Sequence, residues 1–354
     1  MRYVDVITQL TSNAIDVGLN PTKRRYWPRF AFHFTDILNA VSILNSGFLV
    51  SRDYASSHHI MINDNASGSV ISGTKDVVEQ MVRFYFRPRT PTQFYNEGFQ
   101  TSYSRAQRKL VANCPVPVFF LFSLPELLSL PNARFSDRTL ARSEDVKLMS
   151  SPEAFSELPF QYIYHDTSMR GLSPEQKRDV TGHKHAEIVV PEKVDLSLLR
   201  QILVRSVAEK TTLLELLHES GNYRFDDFIQ LGDESTFYMD RNFVRNVSMS
   251  PTGFSIQNRV KNPYPSDWGA TNATEPKYAV NSDVSDRYLN VTIKSVTPDG
   301  RVVNWPGAEH KALFKEQMSF RLRRPEPAYT LEVMVDDHVA YKGQCNSVED
   351  ELPF

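Results

Sequence analysis

Cysteine is scarce: the chain of 354 residues has two, Cys114 and Cys345, far apart in sequence. Two isolated thiols make neither a disulfide framework nor a zinc ligand set, and they suit a reducing compartment. Long apolar runs are missing too. No stretch approaches about 18 consecutive apolar residues, the length that marks a membrane-spanning helix. The N-terminus lacks a basic start followed by a long apolar run, so no signal peptide is expected and cytoplasmic is the default location. Excess charge is also missing: 40 Lys and Arg stand against 42 Asp and Glu, a formal net charge of −2. No global basic field announces a nucleic-acid partner, so such a partner must be met by a local patch. There is no Gly-rich phosphate loop of the P-loop or dinucleotide type, no nucleophile-elbow sequence and no repeat of 20–50 residues.

What is present is an ordinary globular composition, 41% hydrophobic and 23% charged, at a length that suggests two domains. Apolar residues at Val4, Ile7, Leu10, Ala14 and Ile15 predict an N-terminal helix within residues 3–17. Ala31 to Thr35 alternates as a strand. Asp36 is placed to cap a helix over 37–45, Gly47 to close it, and Phe48-Leu49-Val50 to follow as a second strand. Residues 51–76 read as a polar loop. Phe84-Tyr85-Phe86 reads as a strand stopped by Pro88 and Pro91. Val116 to Phe122 is a buried strand, Glu126 to Leu130 a short helix, and Tyr162-Ile163-Tyr164 a further short strand. The stretch 181–204 sets Glu187 at the mouth of the apolar strand Ala186 to Val190, with Ile202-Leu203-Val204 as a second buried strand. A helix is expected over 211–217. From residue 223 onwards short alternating strands predominate, among them Thr236-Phe237-Tyr238, with Asp299-Gly300 as a hairpin turn.

Between Arg83 and Lys109 six basic residues (Arg83, Arg87, Arg89, Arg105, Arg108, Lys109) face one acid, Glu97, with seven aromatics interleaved. That mixture suits phosphate contacts and base stacking, and equally a core strand with a charged flank. His58-His59 and His183-x-His185 lack further ligands at a recognisable spacing, so no metal is expected.

Three stretches in order carry a family likeness: HFTDILNAVSILNSGFLVSR (33–52), FYFRPRTPTQFY (84–95) and HAEIVVPEKVDLSLLRQILV (185–204). They resemble DarT, the bacterial DNA ADP-ribosyltransferase toxins, over roughly residues 30–210. The resemblance implies an α+β, PARP-like ADP-ribosyltransferase fold, with two small sheets around an NAD cleft; neither the first 29 residues nor the β-rich C-terminal part takes part in it. The expected domains are thus an N-terminal helical extension (1–29), the ADP-ribosyltransferase domain (30–222) and, from its strand pattern, a β-rich accessory domain (223–354). The implied reaction moves ADP-ribose from NAD⁺ to a base of single-stranded DNA, without a metal. The implied partner is a macrodomain antitoxin of the DarG kind, in the bacterial cytoplasm.

By the same resemblance Glu187 inherits the catalytic role. His33, Thr35, Phe48, Tyr85, Arg87 and Arg89 are the expected cofactor contacts, and His165, Met169, Arg170 and Lys184 the expected DNA contacts. The chemistry is consistent with this. Nicotinamide departs as positive charge builds on the ribose, and a fixed carboxylate stabilises that charge. The same carboxylate can accept a proton from the base, general-base work worth about 10²–10⁴-fold. The acceptor base must be unstacked, which favours single strands. One departure stands out. Better-known members carry an Arg between the first helix and the middle motif, whereas residues 53–82 here contain no Arg and one basic residue, Lys75. Arg52, Lys75 or the Arg83–Arg89 cluster would have to take over, and the divergence favours guanine over thymine as acceptor. RNA or protein acceptors, and a non-catalytic nucleic-acid-binding module, are the alternative readings.

Overall fold

The computed structural model describes residues 1–58, 80–108, 113–140, 146–241, 243–258, 289–307, 312–313 and 317–346. Most of the loop expected over 51–76, from residue 59 onwards and with His59 and Lys75, lies outside the described residues. The chain forms two compact units that interleave in sequence. Met1–Asn96, Val118–Leu203 and Asp227–Phe237 make the first; Glu97–Pro117, Val204–Asp226 and Tyr238–Phe354 make the second. Among the described residues no helix is long and apolar enough to cross a membrane.

The first unit starts with helix α1 (Tyr3–Ser12), which buries Tyr3, Val6, Ile7 and Leu10, and with α2 (Pro21–Tyr26), capped by Asn20 with Pro21 as its first residue. Strand β1 (Phe30–Asp36) runs into α3 (Ile37–Ser46). The Asp36 carboxylate accepts from the Leu38 amide at 3.2 Å, and Gly47 ends the helix at φ 77°. Strand β2 (Phe48–Val50) and helix α4 (Arg52–Ser57) follow. The further strands are β3 (Met81–Tyr85), β4 (Pro117–Ser123), β5 (Arg134–Phe135), β6 (Glu187–Pro191), β7 (Lys193–Asp195), β8 (Leu199–Val204) and β9 (Ile229–Leu231). They build a seven-stranded sheet of order β5-β6-β3-β1-β4-β8-β9 and a two-stranded ribbon, β2-β7. Phenylalanine fills the core: Phe32 meets Phe119 edge-on at 6.1 Å, Phe84 meets Phe122 at 5.1 Å, and Phe135 meets Phe155 at 5.6 Å.

The second unit is mostly β. Strands β10 (Val244–Ser250), β11 (Gly253–Asn258) and β15 (Gln317–Arg321) form one sheet. Strands β12 (Asn290–Val296), β13 (Val302–Trp305), β14 (Ala312–Leu313), β16 (Ala328–Val335) and β17 (His338–Asn346) form another. Trp305 meets Phe320 at 4.9 Å, and the Tyr329 hydroxyl donates to the Gly253 carbonyl at 3.0 Å, so rings of the five-stranded sheet contact the three-stranded one. A buried ionic knot ties helix Val207–His218 to the segments around it. Arg205 donates to Glu209 at 2.9 Å, to Glu97 at 3.4 Å, and to the carbonyls of Arg241 and Pro115 at 3.0 and 2.9 Å.

Several expected elements fold otherwise. Tyr162-Ile163-Tyr164 is not a strand: residues Phe160–Ile163 form a helical turn that buries Phe160 and Ile163 and leaves Tyr162 43% exposed. Thr236-Phe237-Tyr238 is a turn closed on the Asp233 carbonyl, whose side chain also accepts from the Ser235 amide at 2.8 Å. Pro91 does not simply stop a strand. It begins a helix, Pro91–Asn96, with the Thr90 hydroxyl accepting from Gln93 N at 3.2 Å. Part of the expected loop after residue 51 is α4, which Ser51 caps.

Truncating Arg205 leaves Glu97 and Glu209 buried without their cation. Arg205→Ala is therefore expected to lower the unfolding free energy by about 3–5 kcal/mol. Arg301→Ala, at an exposed pair, should leave it nearly unchanged. Urea denaturation of the two variants side by side checks the contrast.

Candidate active site

Strands β3 and β6 pair antiparallel with Tyr85 opposite Glu187 and Arg83 opposite Val189. Side chains alternate along a strand, so Arg83, Tyr85 and Glu187 share one face. The Glu187 side chain has no exposure, and its two oxygens accept from Arg83 Nε and Nη2, both at 2.7 Å. This forked pair meets the desolvation penalty that a buried carboxylate otherwise carries. The backbone of Glu187 is fixed as well: its carbonyl accepts from Ser136 N at 2.9 Å, and its amide donates to Ser136 Oγ at 3.3 Å.

Two histidines lead into β6, and both are held by hydrogen bonds. His183 is buried; its Nδ1 donates to the Asp137 carbonyl at 2.7 Å and its Nε2 accepts from Arg138 at 3.1 Å. His185 Nδ1 donates to the Thr181 carbonyl at 3.0 Å, which leaves Nε2 as acceptor for the Thr92 hydroxyl at 3.2 Å. Burial lowers the His185 imidazole below its ordinary range, so the ring is neutral beside Glu187 and Arg83. Burial raises the Tyr85 phenol, with the Glu187 carboxylate acting in the same direction, so Tyr85 keeps its proton. Among the described residues no three His, Cys, Asp or Glu side chains converge on a metal position.

The other sequence-marked residues lie as follows. Phe32 stands opposite Tyr85 in the β1–β3 pairing, so His33 faces the other way. Its ring stacks on Phe120 at 6.3 Å and its Nδ1 donates to the Arg83 carbonyl at 3.0 Å. Burial pushes the His33 imidazole down from its ordinary 6.5 to about 4. Thr35 is buried on the same strand. Phe48 lies under the Lys193 ammonium at 4.8 Å. Arg87 is 2% exposed; its guanidinium donates to the carbonyls of Ile163 and His165, pairs with Asp166 at 3.2 Å and lies over Trp27 at 4.8 Å. Asp166 also pairs with Lys23. Arg89 takes a left-handed φ of 56° and donates to the Glu234 carbonyl at 3.0 Å.

His165 and Lys184 lie in the field of Arg87 and Asp166. Burial, and then the nearby Arg87 and Arg89, pull the Lys184 ammonium down to about 8 against the opposing Asp166. Met169 is half-buried and Arg170 exposed. The structure thus gathers Glu187 and Tyr85 with Arg83, Thr92 and His185, and gathers Arg87, His165 and Lys184 around Asp166. His33, Thr35, Phe48, Arg89, Met169 and Arg170 stand outside both groups. The motifs do not single out Thr92 or His185 as site residues, and they mark Arg83 only as part of a basic run. The two-residue spacing Arg83–Tyr85 identifies Arg83 once the strand pairing is known, whereas His185, in the turn before β6, is placed only by its bonds to Thr181 and Thr92.

A family model described as "ssDNA thymidine ADP-ribosyltransferase, DarT" matches residues 32–230. No curated protein matches the chain. Among solved structures, the chain is similar to Thermus sp. 2.9 DarT in complex with carba-NAD⁺, at 21% identity and a TM-score of 0.45, over 60% of this chain and 98% of that one. It is similar to the same protein in complex with ADP-ribosylated ssDNA, at 20% identity and a TM-score of 0.46, over 60% and 97%. It is also similar to Thermosipho africanus DarTG in complex with ADP-ribose, at 15% identity and a TM-score of 0.45, over 61% of this chain and 53% of that one.

The electrostatics of the site can be measured in two ways. Arg83→Ala strands a buried carboxylate and should cost about 3–5 kcal/mol of stability, whereas Arg83→Lys keeps the charge and loses only the fork; thermal and urea unfolding read the difference. His33 takes a proton near 6.5 when unfolded but near 4 when folded. Its contribution to stability is complete above about pH 6.5 and is lost as pH falls toward about 4. An NMR titration should find its ring still neutral at about pH 5.

Proposed function

Because the chain belongs to the DarT family of single-stranded-DNA ADP-ribosyltransferases, whose model spans more than half of it, we propose that it modifies guanine and acts as a bacterial toxin restrained by a macrodomain antitoxin. The chain is an NAD⁺-dependent ADP-ribosyltransferase, a pentosyl-transferring enzyme with NAD⁺ as co-substrate and single-stranded DNA as acceptor. The guanine choice rests on the missing Arg between residues 53 and 82. The toxin role, and the phage-defence setting that goes with it, rest on membership of the family.

The observation that carries the proposed mechanism is the forked Arg83–Glu187 pair at 2.7 Å beside Tyr85. NAD⁺ supplies the activated ribose. Glu187 keeps lone pairs beyond the two that Arg83 engages, so one oxygen can stabilise positive charge on the sugar and accept the acceptor base's proton. Arg83 holds that carboxylate in one orientation and takes the place of the absent family arginine. Tyr85, protonated, packs against the nicotinamide. His33, on the face opposite Tyr85 and Glu187, donates through Nδ1 to the Arg83 carbonyl and so holds β3, which carries Arg83 and Tyr85, in place; Thr35 stands on that same opposite face, and Phe48 is assigned to the cofactor side. Arg87 acts through its field and through the segment it anchors, and Arg89 nearer the phosphates. His165, Lys184, Met169 and Arg170 serve the DNA. The accompanying division gives catalysis to residues 30–222 and an accessory role to 223–354.

The test is intact-mass analysis of single-stranded oligonucleotides, each with one kind of modifiable base, after incubation with NAD⁺. Wild type should add one ADP-ribose to guanine-bearing strands, and Glu187→Gln should lose at least about 10²-fold in rate. Addition to thymine instead would overturn the guanine assignment. No addition to any strand, with NAD⁺ consumed, would move the search to RNA or protein acceptors.

A further inference from the structure

The three-stranded sheet of the second unit has one face turned inward and one turned to solvent. Val247, Ile256 and Met318 stand in register on the inner side, where Met249 contacts the Tyr341 hydroxyl at 3.6 Å and Phe320 packs on Trp305. The outer face repeats its chemistry across the strands. Asn246, Gln257 and Gln317 stand in one row and supply three amides. Ser248, Ser255 and Ser319 stand in the next and supply three hydroxyls. Ser250, Gly253 and Arg321 form the third. Gly253 is required there, because a Cβ would come within 2.1 Å of the Phe320 carbonyl oxygen.

Arginines flank this polar face. Arg245 lies at one end of it, and Arg321, Arg323 and Arg324 at the other, all exposed. Arg245, Arg321 and Arg323 make no ion pair with any described residue. The nearby carboxylate, Glu326, is held by both terminal nitrogens of Arg301 at 2.8 and 2.9 Å and lies 4.0 Å from Arg324. A chain whose net charge is −2 therefore places four exposed guanidinium groups on and beside one sheet face, three of them without an ion pair among the described residues.

We infer that this outer face is a contact surface for the phosphodiester backbone of single-stranded DNA, sharing no residue with the Glu187 site. The inference rests on the proposed activity for its choice of polyanion. Guanidinium groups, hydroxyls and amide N–H groups are the donors that bind phosphate and sugar. The outer rows carry no aromatic ring, so bases are not stacked there. The surface adds affinity without reading sequence, and that affinity falls with salt.

The experiment measures binding of a fluorescein-labelled single-stranded oligonucleotide of about 30 nucleotides to full-length protein across a salt series. It compares wild type, Arg321→Ala/Arg323→Ala, and a control, Arg224→Ala/Lys294→Ala, with the same charge removed from other exposed positions of the second unit. The face variant should bind more weakly, and its plot of log affinity against log salt should flatten by about 1.4, about 0.7 for each phosphate that the variant no longer neutralises. The control should keep the wild-type slope. Wild-type affinity and slope in the face variant, an equal weakening in the control, or a weakening confined to RNA or duplex DNA would each overturn the inference. If wild type binds the oligonucleotide with this signature yet never transfers ADP-ribose to any strand, the proposed activity fails and the surface stands.

Discussion

A carboxylate removed from water needs a partner, and the partner decides what the carboxylate can do. Glu187 has no exposed side-chain surface, and Arg83 meets both of its oxygens from the neighbouring strand. The fork requires Arg83 and Glu187 on one face, two positions apart along a fixed register, so the β3–β6 pairing and the ion pair define each other. A one-residue slip would turn Glu187 into the opposite face with no cation to meet it. The hydrogen bonds of Ser136, His183 and His185 around the start of β6 hold the approach to that register.

Basic residues in this chain do two kinds of work. Arg87 and Arg205 are buried and satisfied by backbone carbonyls and carboxylates, so they order the segments they touch. Their charge still acts at a distance: Arg87 helps draw the Lys184 ammonium down to about 8. Arg245, Arg321 and Arg323 are exposed and lack ion-pair partners among the described residues, and that leaves them available to a polyanion. A count of basic residues along the sequence, such as the one between Arg83 and Lys109, does not separate these roles.

Local signals are legible where one residue's chemistry suffices. Asp36 and Gly47 bound α3 as their cap preferences require, and the Asp299-Gly300 turn joins β12 and β13. Signals that depend on packing are not. Tyr162-Ile163-Tyr164 has strand composition, but Phe160, Ile163 and Tyr164 recur at helical spacing and are buried together. The Pro91 segment reads as a stop because proline ends strands, yet after Thr90 the same residue is a good helix start.

Residue order is enough to assign the family, to arrange its three motifs, and to mark Glu187 as the carboxylate at their centre. Motif chemistry is carried by residue types at short spacings, and those survive in a linear reading. Folding adds that Arg83 is the residue that meets Glu187, that Arg87 is buried in a clamp on Asp166, and that His33 faces away from Tyr85. It also puts the amide, hydroxyl and arginine rows on a single outer face. Each of these depends on strand register or on packing between distant segments, which joins residues far apart in the chain and leaves no trace in the spacing of either segment alone.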